Sequence, residues 1–248
     1  MSYTIKRVVV IGSGTMGGGI AAHAANAGLR VQLLDVAPRG LLPEEEKRGL
    51  ALESPAVRNR LAAAALERLK KSKPPAFFTP EAAELVTAGN LEDDFRTVGE
   101  ADWVVEAVVE NLETKRELLS RIDGVRKAGA IVSSNTSGLP IASLADGLSE
   151  EFRAHFLGTH FFNPPRYMKL LEVIPTADTR PEVVESVKDF AERRLGKGVV
   201  VCKDTPNFIA NRLASVLGAQ AFAFVVERGY TVEEADAILS PLIGRPKT

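Results

Sequence analysis

His160 and Glu172 lie in two short apolar runs, Phe156 to Phe162 and Lys169 to Ile174, separated by a few residues that include Pro164-Pro165. So short a connection cannot hold a crossover helix, and the two runs are expected to pair antiparallel. About a turn centred near Arg166, positions 160 and 172 are equidistant and fall opposite each other, with Cβ atoms roughly 4.5 to 5.5 Å apart. At that separation an imidazole can hydrogen-bond a carboxylate, as a general base does with the group that orients it. A core histidine beside an ordinary edge charge is the other reading, because structural ion pairs also arise in sheets. Both residues sit among apolar neighbours, where an unpaired charge is expensive, so each is best explained by the other.

A second constellation binds rather than reacts. The β-branched run Ile5 to Ile11 leads into Gly12-Ser13-Gly14-Thr15-Met16-Gly17, and an alanine-rich stretch from Ile20 to Asn26 follows, ending at Gly28. The next apolar run, Arg30 to Leu34, ends in Asp35. Glycines also serve ordinary tight turns, but a strand before them, a helix after them and an acid at the end of the next strand are the context of a dinucleotide cradle. In this reading Gly12 permits the turn, Gly14 lets the backbone approach a pyrophosphate, and Gly17 allows close packing of helix on strand. The helix opening at Thr15 and Met16 supplies amides and partial positive charge. Asp35 would bind ribose hydroxyls and repel a 2′-phosphate, which favours NAD over NADP, while Arg39 nearby works against that discrimination.

Other polar residues fall where a doubly wound sheet places its ligands. Ser137, in Ser133-Ser134-Asn135-Thr136-Ser137, follows a predicted strand at that edge. Glu110 and Lys115 follow the fourth strand, and two solvated charges would explain them equally well. Asn211 is expected one turn into an apolar helix, facing a site or capping a neighbour.

These residues need a frame. Strands alternate with helices through the first two thirds of the chain, which predicts an α/β fold: a doubly wound, Rossmann-type, mostly parallel sheet with antiparallel additions. A charged, alanine-rich helical excursion from Glu44 to Lys73 stops at Pro74-Pro75. The NAD-binding domain is expected to span 1–202 and the beginning of a helical C-terminal domain 203–248. Thr205 can cap a helix with Pro206 at its first position, running to about Arg228. That helix is apolar nearly all round, so a subunit partner or further sequence must cover it.

Composition removes several classes. Lys plus Arg number 31 against 32 Asp plus Glu, so no basic field exists to hold nucleic acid or an anionic membrane. No apolar run approaches the roughly 18 residues of a membrane span. The single cysteine, Cys202, cannot build a thiolate metal centre or an intrachain disulfide, and the three histidines lack ligand spacing. No metal is expected, and a reducing, cytoplasmic setting fits.

The stretches VVVIGSGTMGGGIA, VVEAVVENLETK, SSNTSGL, HFFNPPRYMKLLEV and CKDTPNFIANRL, in this order across nearly the whole chain, resemble the L-3-hydroxyacyl-CoA dehydrogenases of fatty-acid β-oxidation. The resemblance implies NAD-dependent, reversible oxidation of an L-3-hydroxyacyl-CoA to a 3-ketoacyl-CoA. It makes His160 the base, Glu172 its partner, and Ser137 and Asn211 substrate-orienting groups. Glu110, Lys115 and Asn163 would lie near the nicotinamide half of the cofactor, and Lys70 and Lys71, with Arg68 and Lys73, would meet the phosphates of CoA. Gly138 stands where many relatives carry a second serine. The family continues past IGRPKT into helices that complete the second domain and most of a dimer interface. The wording is closest to long bacterial forms in which a hydratase-like region follows, so an N-terminal fragment of a larger protein is expected, pairing as a homodimer through the 206–228 helix. A dinucleotide-binding protein without turnover and a dehydrogenase of another hydroxy acid are the rival readings.

Overall fold

The computed structural model describes residues 3–239; the IGRPKT segment lies outside them. Strand β1 (Arg7–Ile11), helix α1 (Thr15–Asn26) and strand β2 (Arg30–Asp35) form the first crossover unit. The excursion follows as α2 (Pro43–Lys47), α3 (Pro55–Arg58), α4 (Arg60–Lys70) and α5 (Pro80–Glu84), before β3 (Val86–Asn90). It is therefore not one helix. Pro43, Pro55 and Pro80 each open a new one at its first turn, where a missing N–H costs nothing.

The second half runs β4 (Trp103–Glu106), α6 (Leu112–Val125), β5 (Ile131–Ser134), α7 (Ile141–Leu144), α8 (Glu150–Ala154) and β6 (Phe156–Phe161). It closes with β7 (Leu170–Pro175), α9 (Pro181–Arg194) and β8 (Gly198–Val201). All eight strands join one sheet in the order β3-β2-β1-β4-β5-β6-β7-β8. Among the described residues only β6 and β7 pair antiparallel; β8 returns parallel to β7 by way of α9. The order reverses between β1 and β4, so the carboxyl edge there is the crevice in which such sheets take ligands.

The core forms where apolar strands meet small helix faces. Val8, Val10, Leu33, Val105, Ile131, Leu171 and Val173 of the sheet are buried in one cluster with Ala21, Ala24 and Ala25 of α1 and Val183, Val187 and Ala191 of α9. Polar groups inside the sheet are matched: the Trp103 indole and the Thr159 hydroxyl both donate to Ser133 Oγ, at 2.9 and 2.8 Å.

His23 of α1 is a buried exception. Its Nε2 donates to Leu195 O at 3.1 Å, and its Nδ1 meets no partner among the described residues. Burial, then the Lys197 ammonium, pushes the imidazole down to about 4. The folded protein thus holds His23 neutral while the unfolded chain takes up a proton below about pH 6.5. Stability is full above that pH and is lost as the pH falls toward 4, by up to about 3 kcal/mol. Denaturant unfolding across this range should show that slope, and His23→Gln should flatten it. An equal slope in the variant would assign the acid sensitivity elsewhere.

Contacts divide the chain between Pro206 and Asn207. The second unit holds α10 (Ala210–Arg228) and α11 (Val232–Leu239). The expected helix from Pro206 is corrected: Asn207 and Phe208 adopt left-handed backbone, φ 64° and 48°, which cannot continue a right-handed helix, so α10 begins only at Ala210. Gly229, also left-handed, ends α10, and a reciprocal cap between Thr231 and Glu234 opens α11. Leu213, Leu217 and Phe222 of α10 are exposed, in keeping with an apolar helix that needs cover.

Candidate active site

The first part of the site is the β1–α1 turn. Gly12 has φ +100°, and a Cβ there would stand 2.4 Å from Ala107 O; one on Gly17 would stand 1.8 Å from Gly12 O. No side chain can replace either hydrogen without moving backbone. Gly14, the N-cap of α1, faces open space, since a Cβ there would meet no atom within 4 Å. Gly14 and Thr15 are exposed where α1 begins, so its first amides lie at an accessible helix N-terminus. Asp35 is tied to this turn: its Oδ2 accepts the Ser13 amide at 2.7 Å and its Oδ1 the Val36 amide at 2.8 Å. A bare backbone cradle with a fixed carboxylate at the end of β2 fits a pyrophosphate and an adjoining ribose. Arg39 is exposed on the loop beyond.

Replacing Asp35 with alanine should weaken NAD binding by about ten- to a hundredfold, the loss of charge-assisted hydrogen bonds, and narrow the gap between NAD and NADP. Fluorescence titration with both reduced cofactors measures this. Equal affinity of the unmutated protein for the two would remove Asp35 from its role.

The second part lies at the carboxyl ends of β4 and β5. Glu106, the last residue of β4, is fully buried and accepts from Lys115 Nζ at 2.6 Å, the Val108 amide at 2.7 Å and Ser134 Oγ at 2.5 Å. Lys115 is itself only 1% exposed, which overturns the reading of Glu110 and Lys115 as two solvated charges. Its Nζ also lies 3.4 Å from Glu110 Oε2. Glu110 in turn accepts from the Thr136 hydroxyl and, at 3.0 Å, from the Ser137 amide. Burial opposes its ionisation, but these donors and the Lys115 ammonium outweigh burial and hold its carboxyl below the usual range. Ser137 is exposed in the loop that Glu110 ties down.

The third part is the β6–β7 hairpin. Its register sets His160 directly opposite Glu172, as the spacing about Arg166 predicts. His160 Nδ1 and Glu172 Oε2 are 2.8 Å apart, with both residues buried. Nδ1 is committed to the carboxylate. The Phe162 ring packs against the imidazole, centroids 4.5 Å apart. Asn135 accepts the Phe161 amide through Oδ1 at 2.9 Å, which ties the Ser137 loop to the strand that carries His160.

The hairpin turn is clamped from two sides. Buried Lys197, whose ammonium burial pushes down to about 8, donates to Pro165 O and, at 2.8 Å, to Met168 O. Arg166 donates to Pro75 O and Phe77 O at 2.6 and 2.9 Å. Asn163 stands exposed at the head of this turn, before a cis peptide bond to Pro164. Behind the dyad, Cys202 donates its backbone amide to Val173 O at 2.8 Å, and burial, then the adjacent Glu172 carboxylate, pushes its thiol up to about 11.

One framework thus carries Gly12, Gly14, Thr15, Met16, Gly17, Asp35, Glu110, Lys115, Ser137, Asn163, His160 and Glu172 on the carboxyl edge of its sheet or the hairpin beside it. Lys70 and Lys71 are elsewhere, exposed at the end of α4, where Lys70 pairs with Glu67 at 2.7 Å. Asn211 belongs to the second unit, as the second residue of α10 rather than one turn in. Sequence reasoning missed Glu106, Ser134, Thr136, Cys202 and Lys197. The signal for Glu106 was available: a lone acid ends the apolar strand Trp103-Val104-Val105, as Glu172 interrupts its own.

Comparisons with known proteins agree with this frame. Residues 7–205 match the family model described as 3-hydroxyacyl-CoA dehydrogenase, NAD binding domain. A probable 3-hydroxyacyl-CoA dehydrogenase of Bacillus subtilis is 51% identical over 98% of the chain, and the chain spans 31% of that relative. A putative fatty acid oxidation complex trifunctional enzyme of Rickettsia felis is 39% identical over the whole chain, which spans 32% of it. The solved structure of 3-hydroxybutyryl-CoA dehydrogenase from Escherichia coli K12 superposes with a TM-score of 0.72 at 32% identity, covering 95% of this chain and 46% of that one. Fingerprint, sheet order and matched span lead to one conclusion: the chain belongs to the family of 3-hydroxyacyl-CoA dehydrogenase NAD-binding domains.

Proposed function

We propose that the protein oxidises L-3-hydroxyacyl-CoA reversibly to 3-ketoacyl-CoA with NAD, in fatty-acid β-oxidation. The observation that carries this reading is the buried His160–Glu172 pair at 2.8 Å on the hairpin beside the dinucleotide edge. NAD, when bound, supplies the hydride acceptor. His160 Nε2 takes the hydroxyl proton of the substrate as the C3 hydride departs, and Glu172 holds Nδ1–H and stabilises the imidazolium that results. Ser137 and Asn211 hydrogen-bond the substrate oxygen and keep C3 at reacting distance. Glu110, Lys115 and Asn163 lie near the nicotinamide half of the cofactor. Lys70 and Lys71 meet the phosphates of CoA, and two copies pair through the exposed apolar side chains of α10, in the cytoplasm.

Reduction by NADH of acetoacetyl-CoA, compared with free acetoacetate, tests this in the full-length protein. The thioester should be reduced and the free acid left almost untouched. Equal use of both would indicate a dehydrogenase of another hydroxy acid, and use of neither a binding protein without turnover.

A further inference from the structure

The Glu106–Lys115 pair is the most deeply buried ion pair of the carboxyl edge, with side chains 0% and 1% exposed. Burying two charges is unfavourable unless further hydrogen bonds complete their shells, and an ammonium left without its carboxylate is strongly so. Glu106 has those bonds: Ser134 Oγ on one oxygen, the Val108 amide and Lys115 on the other. Lys115 then has two acids within reach, Glu106 at 2.6 Å and the half-exposed Glu110 at 3.4 Å. The nearer, drier carboxylate neutralises it. That leaves Glu110 the longer contact to Lys115 through Oε2, while its Oε1 accepts from the Thr136 hydroxyl and the Ser137 amide.

We infer that Glu106 is a positioning residue: by neutralising Lys115 inside the fold it frees Glu110 to fix the Ser137 loop. With Glu106 uncharged, the buried ammonium would draw Glu110 toward itself and off that loop. The Ser137 amide would lose its acceptor, and the hydroxyl proposed to orient the substrate would lose its mooring. The catalytic consequence rests on the function proposed above; the structural one does not.

Glu106→Gln is nearly isosteric, since its amide can accept from Lys115 and donate to Ser134 Oγ. In the full-length protein, hydrogen exchange at the Ser137 amide should accelerate about tenfold in this variant, the loss of one charge-assisted hydrogen bond. Glu110→Gln should accelerate it similarly. Adding Glu106→Gln to Glu110→Gln should then change it less than about twofold, because the effect passes through Glu110. For acetoacetyl-CoA reduction, kcat should follow the same pattern, while Glu106→Gln should lower thermal stability more in the Glu110→Gln background, where no carboxylate remains beside Lys115. Should Glu106→Gln fail to fold, combining it with Lys115→Met removes both charges of the pair. Exchange at Ser137 should then stay within about twofold of the unmutated protein, because no ammonium remains to draw Glu110 away; an acceleration of about tenfold there would overturn the inference. Unchanged exchange at Ser137 in the folded single variant, or equal factors in both backgrounds, would also overturn it. Absence of turnover in the unmutated protein would instead count against the proposed function, and the exchange comparison would still decide this point.

Discussion

Replacing His160 with asparagine is expected to lower turnover by roughly a hundred- to ten-thousandfold, the range for removing a general base, and to leave NAD binding nearly intact. The imidazole is buried on β6 with Nδ1 on Glu172, whereas the glycine cradle belongs to the β1–α1 turn. Glu172→Gln should remove a large part of the rate by itself. A glutamine can still occupy the space but no longer balances an imidazolium. The double variant should be little worse than His160→Asn, because Glu172 acts through the ring it orients. Steady-state kinetics of the three variants, with NADH titrations as a control for cofactor binding, give the comparison. Multiplying losses would mean that the two side chains act separately and that the dyad is wrong.

Gly17→Ala is expected to have the next largest effect, on the cofactor rather than on proton transfer. The added Cβ would stand 1.8 Å from Gly12 O, a backbone atom that cannot rotate away. Either α1 lifts from β1 or the turn at Gly12 shifts toward Ala107, against which it is already tight. Both movements deform the cradle. A stability loss of about 1–3 kcal/mol follows from overpacking, and NAD affinity should fall more than about tenfold because the pyrophosphate amides lose their alignment. Calorimetric titration of NAD at a temperature where the variant is fully folded separates the two effects. Unaltered affinity there would show that the cradle tolerates the displacement and that the turn is structural only.

The hairpin register was legible because its determinants are local: two apolar runs, a proline-containing turn too short for a helix, and an ionisable residue within each run that the other best explains. The cradle was legible for the same reason. Lys115 was not, because its burial depends on Glu106 at the end of another element, and from sequence a lysine on an amphipathic helix reads as solvated. The start of α10 was misread because the proline rule concerns residue 206 alone; asparagine at 207 tolerates left-handed backbone, but a phenylalanine at 208 does not signal it. The excursion from Glu44 to Lys73 is helical but divided, since prolines such as Pro43 and Pro55 act as helix starts as well as stops.

Direct transfer of the C3 hydrogen is the central claim, and one labelling experiment reaches it. L-3-hydroxybutyryl-CoA carrying deuterium at C3 is incubated with NAD and the full-length protein, and the recovered nicotinamide is analysed by mass spectrometry. The account predicts one deuterium in the reduced cofactor, acetoacetyl-CoA formed in equal amount, and little product when NADP replaces NAD. Acetoacetyl-CoA without deuterium in the cofactor, or no reaction at all, would contradict it.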